Sequence, residues 1–214
     1  MRAQRLMTQK MHQVKSKVGN ARDFFLIRQA TQEDVPGIMD IMAEAAADQE
    51  HPDWFVSDDE AYVRKHISEH GYTIVARTVD GQTAGFFIVK YPEGEDNLGH
   101  YLDMEEEALG QVVVMDSTVV CSDYRGAGLQ GRMLQAAEAR IDKEKFHYLM
   151  CTIHPDNQFS RQNMESQGYE VKKITKCYGG LDRCILVKCI SPNQVSPLLQ
   201  TARCGLSKQM LKKE

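Results

Sequence analysis

A glycine-rich segment at residues 126–131 has the residue types and spacing of a phosphate-binding turn. It reads Gly-Ala-Gly-Leu-Gln-Gly and stands just before a stretch whose apolar residues recur at helical spacing. The first N–H groups of a helix have no partner inside the helix, and the helix dipole adds positive potential there. The segment is therefore predicted to bind an anion, most simply a pyrophosphate, with Arg125 adding a positive charge at the rim.

The same letters form the G-x-G-x-x-G pattern of dinucleotide-binding folds, which suggests NAD as one ligand. In those folds an apolar strand leads directly into the first glycine, and an acid about twenty residues later binds the ribose. Here the polar residues Cys-Ser-Asp-Tyr-Arg precede Gly126, and the nearest acid, Asp156, is better placed to cap a helix. A predicted hairpin also lies upstream, where doubly wound folds alternate strand and helix. These features disfavour NAD.

Two titratable residues stand where a strand is predicted to be buried or to end. Asp116 interrupts the apolar run VVVMDSTVV, and an acid in a buried strand costs several kcal/mol unless it is paired or used. It is either a general base or a structural hydrogen-bond partner of Ser117 or a loop. His154 follows the next strand, HYLMCTI, and is our second candidate for the base; it is otherwise a loop-facing histidine.

The elements that must position these residues follow the order β-α-α-β-β-β-α-β-α-β-β. Strands are predicted at 24–30, on both sides of the turn Asp80-Gly81, at 111–120, at 147–153 and as two final runs within 169–190. Helices are predicted after Thr31, after Ser57 as a cap, after the glycine-rich segment and at 154–168. We predict one α/β domain with a mixed central sheet of about seven strands flanked by helices.

Charge separates this domain from its ends. Residues 1–22 and 191–214 carry ten of the 26 Lys and Arg and one of the 30 acids, and we predict both as tails around a domain at 23–190. The basic N-terminal tail could instead contact nucleic acid or a mitochondrial import receptor. The domain keeps 16 basic and 29 acidic residues, which argues against a nucleic-acid surface and suits a cationic substrate.

Segment 91–111 is the most acidic part of the domain, with seven acids and no Lys or Arg. We predict a long loop with a short helix near Met104–Leu109. Its residues Glu105, Glu106 and Glu107 either line the entrance for an acceptor or form a solvated surface.

Composition narrows the class of protein further. No apolar run approaches the length of roughly 18 residues that marks a membrane span, and residues 1–22 lack the apolar core of a secretory signal. The six cysteines form no CxxC pair, and several lie in apolar runs. We expect reduced thiols, a cytoplasmic location, no metal site and no membrane contact.

The segment Arg-Gly-Ala-Gly-Leu-Gln at 125–130 resembles the acetyl-CoA loop of the GNAT superfamily of acyltransferases, which reads [QR]-x-x-G-x-[GA]. It departs from the pattern at Gln130, which still offers its N–H in the first helical turn. HPDNQFSRQNMESQGYE resembles the superfamily's P-x-N-x-x-[AS] helix ending in Gly-[FY], and the element order agrees over about 24–190. MDSTVV, TIHPDN and KCYGGLDR are similar to bacterial members of unassigned substrate.

The resemblance implies acetyl-CoA as the acyl donor and assigns roles along two stretches. The pantetheine arm would pair with the main chain of the strand end, where the amide of Val120 or a neighbour would polarise the thioester carbonyl. Asn157 and Ser160 match positions that contact the pantetheine and its thiol end, and Asn157 is also a plain helix cap. The strand and loop residues implied in binding are Thr118, Val119, Val120, Arg125, Gly126, Ala127, Gly128, Leu129, Gln130 and Gly131.

The acid that would protonate departing CoA is missing from its usual place. Met164 occupies the position at which many members carry tyrosine, and a thioether donates no proton. Either the thiolate leaves unaided, since a thiol pKa lies near 8.5, or another group serves, for which Tyr178 is our candidate. Otherwise Tyr178 is an exposed aromatic in a turn.

The resemblance thus implies an N-acetyltransferase that acts on a small or peptidic amine by direct attack in a ternary complex. The alternative is a catalytically silent acyl-CoA-binding module of the same fold. A cationic acceptor is expected from the acidic domain. The sequence leaves both a monomer and a homodimer open.

Overall fold

The computed structural model describes residues 11–15, 22–47 and 50–190. Most of both predicted tails, together with Cys204, lies outside the described residues. Within the predicted N-terminal tail, however, Met11–Lys15 forms a strand that pairs with Arg22–Gln29. The domain boundaries at 22/23 and 190/191 therefore stay predictions.

The described residues build an α/β fold around one mixed sheet. All seven predicted strands are present, and Met11–Lys15 adds an eighth at the edge. In spatial order the sheet runs β1-β2-β3-β4-β5-β6-β8-β7. The strands are β1 (Met11–Lys15), β2 (Arg22–Gln29), β3 (Gly71–Thr78), β4 (Thr83–Lys90), β5 (Val112–Val120), β6 (Tyr148–Ile153), β7 (Glu170–Cys177) and β8 (Leu181–Cys189).

Five α-helices lie in the described part of the chain and cover both faces of the sheet: α1 (Val35–Ala46), α2 (Glu60–Ser68), α3 (Glu106–Leu109), α4 (Leu129–Glu138) and α5 (Gln158–Ser166). The short α3 confirms the helix predicted near Met104–Leu109. The Ser57 cap was wrong, because the Asp59 carboxylate accepts the N–H of Tyr62 and caps α2 instead.

Apolar side chains alternate between the two faces because successive residues of a strand point to opposite sides. Helices α4 and α5 pack on one face over a core that includes Phe87, Val113, Met115 and Leu134. Helices α1 and α2 cover one end of the other face, over Phe86, Ile88 and Val119. Segment 91–111 covers the remaining part of that face with two 3-10 turns and α3, over Val114 and Met150.

Strands β5 and β6 form the single parallel pair among the described strands, and they separate early. Only Val112, Val113 and Val114 pair with β6, at Tyr148, Leu149 and Met150. The rest of β5 pairs with β4 alone, so a gap opens between the carboxyl ends of β5 and β6. We call this opening the β5–β6 gap. One parallel pair also differs from the all-parallel sheet that dinucleotide binding would require.

We predict that Leu134→Ala lowers the free energy of unfolding by about 3 kcal/mol, because Leu134 is fully buried between α4 and the sheet. Urea unfolding followed by circular dichroism measures the change. As the control, Val79→Ala removes a 74% exposed side chain and should stay within about 0.5 kcal/mol of wild type. Equal losses in the two variants would contradict the described packing of α4.

Candidate active site

A β-bulge in β5 determines where Asp116 points. Phe87 pairs with Thr118 and Val89 pairs with Met115, so Asp116 and Ser117 together oppose Ile88. A bulge of this kind bends its strand and re-aims its side chains. Both side chains reach residues of α2 or the residues just before it, which places them on the same face of the sheet.

The Asp116 carboxylate is held by the α2 residue Tyr62. The Tyr62 hydroxyl donates a hydrogen bond of 2.8 Å to Asp116 Oδ2. Burial raises the pKa of Asp116 above its ordinary value, and the hydrogen bond from Tyr62 opposes that shift. Burial and the Asp116 charge in turn raise the pKa of Tyr62, which stays a protonated donor. Of the two roles predicted for Asp116, the hydrogen-bonded one is present: the predicted partner Ser117 contributes through its backbone, and Tyr62 is an additional partner.

A second carboxylate, Asp58, lies beside Asp116. Ser117 Oγ donates to Asp58 Oδ2 at 3.1 Å, and burial together with the charge of Asp116 raises the pKa of Asp58 to about 6. The ammonium of Lys90 offsets part of this shift, but it lies 3.1 Å from Asp96 Oδ2. Two buried carboxylates therefore share the face of the sheet at the bulge, with the ammonium of Lys90 near both.

The edge of β5 offers main-chain groups to the β5–β6 gap. The N–H of Cys121 donates to the carbonyl of Ala84 in β4, so the main chain of Cys121 points towards β4. Along a strand, the N–H and C=O groups of successive residues point alternately to the two neighbouring strands. By this alternation the N–H and C=O groups of Val120 and Thr118 point into the gap, and Arg125 Nε donates to Val120 O at 3.4 Å. The main chain of Val119 points to β4 instead, so the expected cofactor contact of Val119 is not through its backbone.

The glycine-rich turn has the geometry of an anion site. Gly126 and Gly128 have φ values of +79° and +73°, which only glycine adopts readily, and Gly128 precedes α4. Among the described residues, the first main-chain bond after Arg125 runs from Arg132 N–H to Gly128 O, so the N–H groups of 126–131 are left for a ligand. A Cβ on Gly128 would meet no atom within 4 Å.

Helix α5 brings the predicted residues Asn157 and Ser160 next to this turn. Asn157 Oδ1 caps α5 by accepting the Ser160 N–H at 3.0 Å, while Gln130 Nε2 lies 3.5 Å from Ser160 Oγ. Gly131 is buried, and a Cβ there would come within 3.2 Å of Asn163 Oδ1. Gly131 therefore serves the close packing of α4 on α5, and only its N–H remains for an anion.

Met164, at the usual place of the proton donor, and Tyr178, our candidate donor, differ in position. Met164 is buried in the core beneath α5 and cannot reach solvent. Tyr178 follows β7 with φ +50°, and its hydroxyl lies 3.1 Å from Thr152 Oγ1 of β6. Burial of the phenol end, with the nearby charge of Asp116 adding to it, raises the pKa of Tyr178 to about 12. Tyr178 thus lies on the Asp116 side of the gap.

His154 is connected to a different set of residues. Its Nδ1 accepts the N–H of Asp156 at 3.2 Å, and its ring centroid lies 6.3 Å from that of Trp54. The residues that sequence reasoning missed, Asp58, Tyr62 and Trp54, come from the α1–α2 connection and from α2. Tyr62 lies 54 positions from Asp116 in the chain, so no local signal joins the two.

Charged residues elsewhere give no further cofactor site. Among the described residues no group of three or more His, Cys, Asp or Glu could hold a metal ion. The acids Glu105, Glu106 and Glu107 are exposed on α3. Within the described ranges, no helix has the length and apolarity needed to cross a bilayer. The five cysteines that the structure describes carry free thiols.

The fold and a family comparison together define an acetyltransferase of the GNAT class. The family model described as "Acetyltransferase (GNAT) family" matches residues 38–169, which is more than half of the chain. The chain therefore belongs to the GNAT acetyltransferase family, whose members use acetyl-CoA. No curated protein matches the sequence.

Solved structures agree with this fold. A GNAT superfamily phosphinothricin acetyltransferase from Sinorhizobium meliloti, in complex with AcCoA, has a TM-score of 0.62 at 18% identity, covering 80% of this chain and 91% of that one. A GCN5-related N-acetyltransferase from Kribbella flavida gives 0.59 at 16% identity, with 78% and 98% covered. The ribosomal-protein-S18-alanine N-acetyltransferase from Escherichia coli gives 0.57 at 16% identity, with 80% and 97% covered. These identities support the fold alone.

We predict that Asp58→Asn raises the melting temperature at pH 8 and changes it little near pH 4. An unfolded Asp titrates near pH 3.9, whereas Asp58 in the fold titrates near pH 6. Between these values the folded state binds more protons, so the carboxylate costs stability as pH rises through that window. Thermal unfolding at both pH values tests this.

The control for Asp58→Asn is Asp80→Asn, which changes an exposed acid in the β3–β4 turn. It should show the same small change at both pH values. A gain for Asp58→Asn that is equal at pH 4 and pH 8 would show that its carboxylate is not the source of the pH dependence.

Proposed function

We propose that this protein transfers the acetyl group of acetyl-CoA to a primary amine of a small-molecule or peptidic acceptor. The observation that carries the proposal is the position of Asp116: a carboxylate with a raised pKa at the place where β5 leaves β6. A general base near neutral pH needs such a shift. The acidic surroundings formed by Asp58 and Asp116 favour a cationic acceptor.

The residues of the gap are suited to receive acetyl-CoA. The free N–H groups of 126–131 at the start of α4 can bind its pyrophosphate, and the strand edge at Thr118 and Val120 can pair with its amide-containing arm. Asn157 Nδ2 remains free for a polar contact, because the cap uses only Oδ1. When bound, acetyl-CoA would supply an activated thioester as the acyl donor.

The chain's own groups then account for the proton movements. Asp116 accepts the proton of the attacking amine, and the Val120 N–H stabilises the negative charge that develops on the carbonyl oxygen. Tyr178, which is protonated at neutral pH because its pKa is about 12, would donate a proton to the departing thiolate. His154 is the alternative base. We also infer a cytoplasmic location.

A catalytically silent acyl-CoA-binding module is the second candidate function. The observation that favours it is Met164, which is buried in the core at the position where related enzymes are expected to carry tyrosine. The two functions separate in one experiment, in which a thiol reagent follows CoA release from acetyl-CoA with a panel of amines. Thermal protection by acetyl-CoA without thiol release would favour the silent module.

We predict that Asp116→Asn lowers kcat/KM for the amine by about 100-fold and removes its rise with pH. In the wild type kcat/KM should increase as Asp116 loses its proton and then level off, because only the carboxylate accepts a proton. Asp40→Asn, at an exposed position of α1, is the matched control and should behave as wild type. Unchanged turnover of Asp116→Asn over about pH 6 to 9 would remove Asp116 as the base. The same profile for an alanine variant of His154 then decides between the two bases.

We predict that Gly128→Ala weakens acetyl-CoA binding about tenfold, because a methyl group would stand at the start of α4 where the anion is expected. Calorimetric titration measures the dissociation constant. Gly94→Ala is a matched control, since Gly94 also has a positive φ, +55°, and open space around its Cβ position. Both variants should lose a similar stability of about 1 kcal/mol from backbone strain. Equal affinity of the two variants for acetyl-CoA would contradict the assigned pyrophosphate site.

A further inference from the structure

The connection between α1 and α2 is attached to both sides of the β5–β6 gap. On one side, Arg183 Nη2 of β8 donates to Asp53 O at 2.9 Å, and β8 is the neighbour of β6. On the other side, Asp58 accepts the hydroxyl of Ser117 in β5 at 3.1 Å. Because only four residues lie between Asp53 and Asp58, the segment between these two attachments crosses the gap. We call residues 51–58 the crossing loop.

The crossing loop lies on the face of the sheet that carries Asp116. Arg183 alternates with Cys184 along β8 and shares its face with Ile185, which belongs to the core beneath segment 91–111. Asp116 and Ser117 point to the same face. Arg183 is 4% exposed and bonds to the main-chain carbonyls of Asp53 and Asp182. No carboxylate among the described residues forms an ion pair with it, so its role in the structure is to hold the crossing loop.

Trp54 is the large aromatic side chain of this loop and the single tryptophan of the sequence. His51 stacks on its indole, with centroids 3.7 Å apart and planes within 4°. His154, at the end of β6, lies 6.3 Å from it at a tilt of 30°. The indole is thus fixed from one side and stands next to the strand end that borders the gap.

An aromatic side chain and carboxylates that border the same opening are suited to bind a cationic amine. Indole attracts ammonium groups within about 6 Å of its centroid, and its apolar area packs against the carbon chain of the amine. Asp58 and Asp116 are the carboxylates on this face, and Lys90, which lies 3.1 Å from Asp96 Oδ2, lowers the pKa of both. The charged and titratable groups that face this region include Asp58, Asp116, Lys90, Arg183, Tyr62 and Tyr178, with His154 at its border.

We propose that Trp54, together with His154, determines acceptor specificity by packing against the alkyl chain of an alkyl-ammonium acceptor whose amine is acetylated. The inference rests on the proposed acetyl transfer and adds the acceptor class and the residues that select it. It assigns Trp54 and His154 to acceptor binding, whereas the turn at 126–131 binds the donor. Changes in Trp54 should therefore affect the amine and leave acetyl-CoA unaffected.

The single tryptophan makes the proposal directly observable. Hexylamine, spermidine and glycine are titrated into the wild-type protein saturated with CoA, and the emission of Trp54 is recorded. We expect saturable changes with hexylamine and spermidine and none with glycine, which has no alkyl chain and carries a carboxylate. Emission that responds to neither hexylamine nor spermidine would overturn the proposal, whether or not any amine is acetylated.

Kinetics of three variants provide the second test. Trp54→Ala should raise KM for the best amine about tenfold while KM for acetyl-CoA stays at the wild-type value. The amine KM of Trp54→Phe should lie between those of the wild type and Trp54→Ala. His154→Ala should raise the amine KM less than Trp54→Ala does. Phe24→Ala, which truncates an exposed aromatic on β2 away from the gap, is the control. Trp54→Phe and the titration of the wild type keep the test decisive if Trp54→Ala folds poorly.

The outcomes separate this inference from the proposed function. Acetylation of an amine with the same KM in wild type, Trp54→Phe and Trp54→Ala would overturn the acceptor site and leave acetyl transfer intact. Saturable changes in Trp54 emission with no release of CoA thiol from acetyl-CoA would support the acceptor site and overturn acetyl transfer. A rise in KM for acetyl-CoA equal to that for the amine would place Trp54 in the donor site and overturn its assignment here.

Discussion

The separation of β5 from β6 is the constraint on which the rest of this site depends. Strand pairing normally satisfies every main-chain donor and acceptor inside a sheet, yet β5 pairs with β6 through only three residues. The bulge at Asp116 and Ser117 bends β5 at this point and turns two polar side chains to one face. One local irregularity therefore supplies a free strand edge, an opening between strands and a positioned carboxylate.

The two faces of the opening differ in charge, and that difference gives each a chemical role. On the side of α4 and α5, free N–H groups at a helix start and the nearby Arg125 provide positive potential for an anion. On the side of α2 lie the carboxyl groups of Asp58 and Asp116, whose pKa values are raised by burial. The proposed reaction between an anionic donor and a cationic acceptor is favoured by such a division, because each partner is attracted to its own side.

Family membership supports the reaction class, whereas individual residues of this structure support the proposals on acceptor and proton donor. Membership in the GNAT acetyltransferase family rests on a match over residues 38–169, and structures at 16–18% identity share the fold. The features that we propose to bear on the acceptor come from the structure: Trp54, the attachment of Asp53 to Arg183, and the pair of Asp58 with Ser117. Met164 is buried in the core and has no proton to donate, so Tyr178 is the proposed proton donor.

The sequence by itself determined the features that depend on near neighbours in the chain. The order of strands and helices along the chain, the amphipathic face of α4, a cap at Asp156 or Asn157 and the glycine turn all follow from patterns within about a dozen residues. It could not place Met11–Lys15 as an edge strand, nor the bulge, because both are decided by pairing with another strand. Only the tertiary structure joined Tyr62 and Asp58 to β5 and brought Trp54 to His154, since these contacts connect segments far apart in the chain. A buried acid in a strand indicates from the sequence that it has a hydrogen-bonding partner. Which residue is the partner depends on the fold, because the fold brings distant segments of the chain together.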